Sequence, residues 1–225
     1  MAGDRRASLR IDMHVHTHAS FDCLSDPFDV LETAVERGLD MLCITDHNEI
    51  DAALMLAERY PDRIIVGEEV KTAERVDVTG LFLTERIPAG TPARETCDRI
   101  HAQGGLVYVP HPFARGKGGS GRILLEIGDR VDVIEGFNAR LHEQKMNERA
   151  VLWATNAEKP VGAGSDAHTL REIGRGWTYA PPFDGPASFV DALRRGRIDG
   201  DTSSRVVHLA STWAKVRKRL AGGVA

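Results

Sequence analysis

The chain has 225 residues, of which 42% are hydrophobic, and its formal net charge at pH 7 is -4. This length favours one domain whose core needs no disulfide or structural metal. The slightly acidic balance argues against broad electrostatic binding of nucleic acid. No apolar run approaches the roughly 18 residues that cross a bilayer, and the polar N-terminal residues lack a secretion signal. The sequence therefore predicts a soluble, cytoplasmic protein with no membrane partner and no extended nucleic-acid surface.

The first predicted strand carries two histidines on one face. It begins near Ile11 and leads into a turn that reaches Asp22. Because side chains of an extended backbone alternate between two faces, His14 and His16 point the same way and can share one metal ion. A lone His-x-His is about as often an ordinary polar pair on a sheet. The interpretation therefore depends on further ligands elsewhere in the chain.

Six further strands are predicted, and helices lie between most of them. The strands are residues 39–45, 63–66, 76–83, 106–110, 131–135 and 160–164, and the helices span residues 27–37, 52–57, 91–103 and 141–158. Seven strands alternating with helices indicate parallel pairing through right-handed crossovers. No convincing linker interrupts the chain, so we expect an α/β barrel formed as a single domain over residues 1–225.

Two segments have a distinctive composition. Residues 115–122 are rich in glycine and are predicted to form a mobile loop. Residues 204–220 are predicted to form an amphipathic helix packed on the barrel. Its apolar residues are expected to face the barrel and its charges to face solvent: Val206, Val207, Leu209, Trp213, Val216 and Leu220 are apolar, and Lys215, Arg217, Lys218 and Arg219 are charged.

Nearly every predicted strand ends in a potential metal ligand. The ligands are His14, His16, His47, Glu69, Asp77, His111, Asp166 and His168. Barrel active sites form at the C-terminal ends of the strands because the loops converge there. A catalytic zinc takes about three protein ligands, so this set implies two or three divalent ions. Nitrogen and oxygen donors without thiolate suit zinc, manganese or iron, and clustered ions about 4 Å apart can activate water and clamp a phosphoryl group.

Five short motifs carry a family resemblance. They are His14-x-His16-x-x-x-Ser20 with Asp22, Thr45-Asp46-His47, Gly67-Glu68-Glu69, His111-Pro112-Phe113 and Gly164-Ser165-Asp166-Ala167-His168. On these residues the sequence resembles the polymerase and histidinol phosphatase (PHP) family of metal-dependent phosphoesterases across nearly the whole chain. The resemblance implies a distorted, TIM-like (β/α)7 barrel with a trinuclear metal site.

The family's pattern distributes the ligands among three ions. One ion would take His14, His16, Glu69 and Asp166, a second would share Glu69 and use His111, and a third would take Asp22, His47 and His168. Asp77 stands where the family has a histidine, so a carboxylate would hold the second ion or leave it more weakly bound. The family reading makes a bridging hydroxide the nucleophile, with His16 or Asp166 handling the proton at the leaving oxygen.

Cations that follow strand ends or ligands are candidates for binding phosphate. They are Arg115, Lys117, Arg140 and Arg175, and the planar fork of arginine suits phosphate. The remaining histidines have no ligand context and are predicted to be non-ligands: His18, His101, His142 and His208.

The resemblance implies hydrolysis of a small phosphomonoester or of a nucleotide or oligonucleotide phosphate. Three alternatives remain at this point. One is a histidinol-phosphatase-like enzyme, which usually has histidine in place of Asp77. Another is an amidohydrolase, which would need a bridging lysine on a middle strand and a longer chain, and neither is seen. The third is a non-catalytic, metal-stabilised PHP module.

Overall fold

The computed structural model describes residues 8–115 and 118–222. The strands are β1 Leu9–Val15, β2 Met41–Ile44, β3 Ile64–Lys71, β4 Asp77–Leu81, β5 Leu106–Val109, β6 Val133–Asn138, β7 Val161–Gly164, β8 Gly176–Ala180 and β9 Arg197–Gly200. The helices are α1 Pro27–Glu36, α2 Asp51–Arg59, α3 Ala93–Ala102, α4 Leu124–Ile127, α5 Gln144–Asn156, α6 Pro186–Arg194 and α7 Val207–Gly222. Among these helices, none combines the length and hydropathy that crossing a bilayer requires.

The strands form a single sheet that curls into a nearly closed barrel. Their order is β7-β6-β5-β4-β3-β2-β1-β8-β9. The chain that follows β7 closes the barrel against β1: the backbone N–H of Asp166 donates to His14 at 2.8 Å, and that of His16 donates to Ala167 at 3.0 Å. Gly164 allows this approach, since a Cβ there would lie 2.3 Å from the Cβ of His14. The predicted fold class, a single α/β barrel domain, is confirmed.

Strand β4 departs from the predicted parallel pairing, because it runs antiparallel to both β3 and β5. A tight turn, not a crossover helix, joins β3 to β4: the N–H of Thr72 donates to Val76 at 3.0 Å, and Arg75 has a φ of 62°. Two strands joined by so short a turn can pair only antiparallel. Strands β8 and β9 lie in residues 169–203, where the sequence pattern predicted no strand, and β8 pairs antiparallel with β1.

Helix α1 shows how the local sequence positions these elements. Asp26 precedes the helix, and its Oδ1 accepts a hydrogen bond from the N–H of Phe28 at 2.8 Å. Pro27 occupies the first helical position, where a missing N–H costs nothing. Val30, Leu31 and Ala34 then bury one face of the helix against the barrel. These start signals are the ones on which the prediction of this helix rested.

Helix α7 packs on the barrel through the face opposite to the one predicted. Its apolar side chains point outward, with exposed fractions of 43% to 69% at Leu209, Trp213, Val216 and Leu220, and Val206 just before the helix is exposed as well. The buried positions are Ser211 and Ala214. The expectation of an apolar docking face was therefore wrong. The barrel surface beneath the helix is the rim of a polar cavity, which small and hydrogen-bonding side chains fit better than large apolar ones.

Candidate metal centre

The predicted metal donors converge on one cavity at the end of the barrel where the loops after β1, β5 and β7 meet. The cavity has a volume of about 510 Å³. Its lining includes Asp22, His47, Glu69, Asp77, His111, Arg140, Asp166 and His168. These side chains come from opposite ends of the sequence, so the barrel as a whole assembles the site.

His14 and His16 lie side by side on β1 and in the turn after it, as the strand period predicted. Both are buried, and their Nε2 atoms are 3.0 Å apart. The Nδ1 atom of His14 donates to Glu135 Oε1 at 3.0 Å, and the Nδ1 atom of His16 faces Ser20 Oγ at 3.1 Å. With the Nδ1 atoms engaged, the two Nε2 lone pairs point at each other and need a proton or a cation between them.

Three groups of side chains bring their donor atoms within 4.8 Å of one another. The groups are His14, Glu69 and His111; His14, His16 and Asp166; and His16, His47 and His168. Asp22 adjoins the last group, since its Oδ1 lies 3.2 Å from His168 Nε2 and 3.6 Å from His47 Nε2. The structure thus brings together all predicted donors but Asp77, which joins no such group among the described residues.

Buried oxygen atoms inside the centre have unused acceptor capacity. Glu69 Oε2 accepts no well-oriented hydrogen bond, although His47 Nδ1 lies 2.9 Å away. Asp22 Oδ1 also accepts no well-oriented hydrogen bond. A buried acceptor without a partner is costly, and a divalent cation would satisfy it. Imidazole and carboxylate donors without thiolate match the preferences of zinc, manganese and iron. The residues present therefore fit a divalent metal site.

Two donor residues have backbone conformations that are unusual for side chains other than glycine. His111 has a φ of 28°, and Asp166 has a φ of 53°. Such strain costs on the order of 1–3 kcal/mol per residue and persists only where the surroundings enforce it. Here Glu135 Oε2 accepts from the N–H of His111 at 2.6 Å, and the carbonyl of His14 accepts from the N–H of Asp166 at 2.8 Å. The strain aims both donors into the cavity.

Glu135 is a buried carboxylate that the sequence did not single out. It lies on β6, and besides His14 and the backbone of His111 it accepts from Asn138 Nδ2 at 2.9 Å. A carboxylate behind a metal-binding histidine fixes which ring nitrogen faces the metal. Glu135 closes a predicted strand, as several assigned donors do, but this position alone does not distinguish it from an ordinary carboxylate.

Asp46 organises the opposite side of the centre. Its Oδ1 accepts from the N–H of Thr17 and from Ser20 Oγ, each at 2.6 Å, and Ser20 in turn faces His16 Nδ1. Asp46 therefore orients His16 through the Ser20 hydroxyl.

The titration behaviour of the centre follows from its packing of carboxylates among histidines. Burial lowers the pKa of His47, but the charges of Glu69 and Asp22 outweigh burial and raise it to about 9. Burial raises the pKa of Asp166, yet His14, His16 and Arg140 hold it well below its usual range. Burial and the neighbouring His168 and His47 depress the pKa of His16. At neutral pH, His16 is therefore a neutral imidazole and Asp166 is ionised, so both present lone pairs to a cation.

Asp77 faces the cavity but is paired with a cation of the chain. Lys71 Nζ forms an ion pair with its Oδ1. Gly118, with a φ of 75°, lies directly over this pair, and a Cβ there would be 1.9 Å from Asp77 Oδ2. Burial and the charge of Glu69 raise the pKa of Asp77 to about 6. A role as a metal ligand would require Asp77 to exchange Lys71 for an ion.

The four candidate phosphate-binding cations have different surroundings. Arg140 is buried and lines the cavity, its Nη1 lies 2.8 Å from His168 Nδ1, and its Nε lies 3.0 Å from Glu172 Oε1. Arg115 is exposed and is not part of the cavity lining. Arg175 lines a second cavity instead, and Lys117 lies outside the described residues.

The comparisons with known proteins point in one direction. A family model described as the PHP domain matches residues 12–160, and one described as PHP-associated matches residues 144–198. An uncharacterised protein of Methanocaldococcus jannaschii is 33% identical over 174 residues, which cover 75% of this chain and 69% of that protein. Phosphoribosyl 1,2-cyclic phosphate 1,2-diphosphodiesterase of Eggerthella lenta is 35% identical over 101 residues, which cover 40% of this chain and 38% of the enzyme.

Solved structures share the fold at low sequence identity. A two-domain protein of Bacteroides vulgatus, described as containing a predicted PHP-like metal-dependent phosphoesterase, superimposes with a TM-score of 0.69 at 19% identity, covering 96% of this chain and 72% of that one. Endonuclease Q in complex with a 27-mer duplex has a TM-score of 0.65 at 16% identity, covering 84% and 57%. A protein with this fold can therefore bind a DNA duplex, which goes against the expectation of no extended nucleic-acid surface.

Proposed function

The chain belongs to the PHP domain family and is a metal-dependent hydrolase of phosphoric esters, and from that premise we propose that its substrate is a small phosphomonoester or a nucleotide or oligonucleotide phosphate. The observation that supports this proposal is the convergence of histidine and carboxylate donors on one cavity. That cavity is open enough to admit a small ester.

We assign the metal ions by counting the ring nitrogens that are free. His14 and His16 each use Nδ1 for a partner in the protein, so each has one nitrogen left for a metal. The group of His14, Glu69 and His111 shares no residue with the group of His16, His47 and His168. Two ions can therefore be held at once, each by three donors, and a third would depend on the carboxylates of Asp166 and Asp22.

When bound, divalent ions would supply an activated water near neutral pH and would offset the charge of the phosphate oxygens. The protein's own groups have separate tasks. Of the two groups proposed to handle the proton, Asp166 keeps a carboxylate oxygen that can pass it to the leaving oxygen, whereas His16 has one ring nitrogen bonded to Ser20 and the other assigned to a metal. Arg140 holds His168 in place and adds positive charge beside the phosphoryl position.

The proposal is tested by metal content together with hydrolysis of an aryl phosphate and a nucleotide panel, for the wild type and His14→Ala. We expect two or three equivalents of zinc, manganese or iron in the wild type, and loss of both metal and turnover in the variant. His101→Ala is the matched control, because His101 pairs with Asp132 on the surface. Metal without turnover would favour a non-catalytic module, and absence of metal would contradict the assignment.

A further inference from the structure

Helix α7 forms one wall of the cavity that contains the metal donors. His208, Ser211, Thr212 and Lys215 line the cavity from this helix. The two matched family models end at residue 160 and residue 198, whereas α7 begins at Val207. The helix therefore adds to the site a surface that family membership does not assign.

Hydrogen bonds fix α7 at the mouth of the cavity. Arg140 donates from Nη2 to Ser211 Oγ at 2.6 Å, and Lys218 Nζ donates to the carbonyl of Ser20 at 2.5 Å and also to that of His18. The second contact ties the last helix to the turn that follows β1. The wall is thus attached to the same turn that carries Asp22.

Lys215 extends from this wall toward the donors. Its Nζ lies 3.4 Å from Asp22 Oδ2 and 5.2 Å from the centre of the Phe21 ring. The other oxygen of Asp22 faces His168 and His47. The Asp22 carboxylate consequently lies between the ammonium group of Lys215 and the imidazoles of His168 and His47. Lys215 is therefore separated from these metal donors by one side chain.

We propose that Lys215 binds a second phosphate group of the substrate, placed beyond the phosphoryl group that reacts. The proposal rests on the proposed function, since it presumes a phosphoric ester at the metal donors. The side chain of Lys215 is 40% exposed, and an ammonium group has three donors, so it can bind a ligand while it stays near Asp22. The other described lysine and arginine of the lining are held more tightly, Lys71 by Asp77 and Arg140 by Glu172 and His168.

Two chemically matched probes test the inference. Propyl phosphate carries one phosphate, and propane-1,3-diol bisphosphate carries a second at the far end; longer alkanediol bisphosphates vary the spacing. For the metal-loaded wild type we expect a lower KM for at least one bisphosphate, with kcat/KM about five- to tenfold above that of the monophosphate. In Lys215→Met this ratio should fall to about two, the statistical factor for two equivalent phosphates, and Lys215→Arg should restore most of it.

Arg217→Met is the matched control, because it removes one positive charge from the exposed side of the same helix. The wild-type ratio should persist in this variant. A wild type that prefers no bisphosphate, or a preference that survives Lys215→Met, would overturn the inference. A wild type that hydrolyses none of the esters would contradict the proposed function instead. In that case the same probes would bind without being hydrolysed, and calorimetry would give the dissociation constants of the monophosphate and the bisphosphate. Their ratio in the wild type and in Lys215→Met would test the role of Lys215.

Discussion

The cavity has a floor, formed by the metal donors, and a wall, formed by α7, and the two differ in how deeply their side chains are buried and in how many elements contribute them. On the floor, His14, Glu69 and Asp166 are at most 5% exposed and come from three different strands or their ends. The wall is one helix, and its Lys215 is 40% exposed on the side chain and reaches the floor at one carboxylate. Disturbing the floor should therefore abolish metal binding, whereas changing the wall should alter which substrates are preferred.

The largest effect should come from breaking the floor at its shared donor. Glu69 contacts His14, His47 and His111. Glu69→Gln removes a charge that the metal donors share, and we expect turnover to fall by about a hundredfold to a thousandfold, with fewer bound metal equivalents. Steady-state kinetics and elemental analysis would measure both. Full turnover in this variant would show that Glu69 is not a required metal donor.

Glu68, the neighbour on β3, sharpens the comparison because it faces away from the cavity and accepts from the N–H of Ile87 at 2.8 Å. Burial raises its pKa to about 7. The folded state then binds a proton more tightly than the unfolded chain, so the free energy of unfolding should decline as pH rises from about 4.5 to about 7. Glu68→Gln should lack this decline and gain up to about 3 kcal/mol at pH 8 relative to the wild type. Denaturant unfolding across this pH range measures it, and parallel curves for the two proteins would refute it.

Glu135 tests whether the floor depends on groups that never touch the metal. Glu135→Gln keeps the shape of the side chain but removes the charge that fixes His14. We expect metal affinity to fall by about tenfold to a hundredfold, as measured by competition with a chromophoric chelator. Glu126→Gln, an exposed carboxylate on α4, is the control. Equal affinities in the two variants would show that the orientation of His14 does not matter.

The smallest effect should come from loosening the wall. Ser211→Ala removes the hydroxyl that accepts from Arg140, and we expect the free energy of unfolding to fall by about 1 kcal/mol. The number of bound metal equivalents should not change, because Ser211 contacts no proposed donor directly. Loss of metal in this variant would mean that metal binding by the floor depends on the attachment of the α7 wall.

The sequence was most informative where residue type and strand position coincide. His47, His111 and His168 follow predicted strands, and the chemistry of imidazole makes them stand out wherever they occur. Glu135 has the same position, but its role depends on meeting His14, which is 121 residues away along the chain. That contact exists only after the barrel has closed, so local pattern alone could not separate Glu135 from an ordinary carboxylate at the end of a strand.

The errors have physical causes too. The period of an antiparallel strand is the same as that of a parallel one, so the reversal at β4 depends on the turn around Arg75 and not on any alternation of side chains. On α7, an apolar stripe usually marks the docking face of a helix. Here the barrel offers the rim of a polar cavity, and Ser211 and Lys218 meet hydrogen-bonding groups there that the apolar residues could not satisfy. The polarity of the partner surface, which the sequence of the helix does not contain, decided its orientation.

The place of α7 in the chain has a consequence for biosynthesis. A ribosome makes His14 and His16 early and His168 later, and it makes Lys215 and Lys218 after all of the metal donors. A nascent chain that has emerged through His168 can already gather its metal donors. The wall that Lys218 ties back to Ser20 cannot form until the helix itself is released. Translation should therefore produce a metal centre that is open on one side first, and α7 should close that side once it has followed.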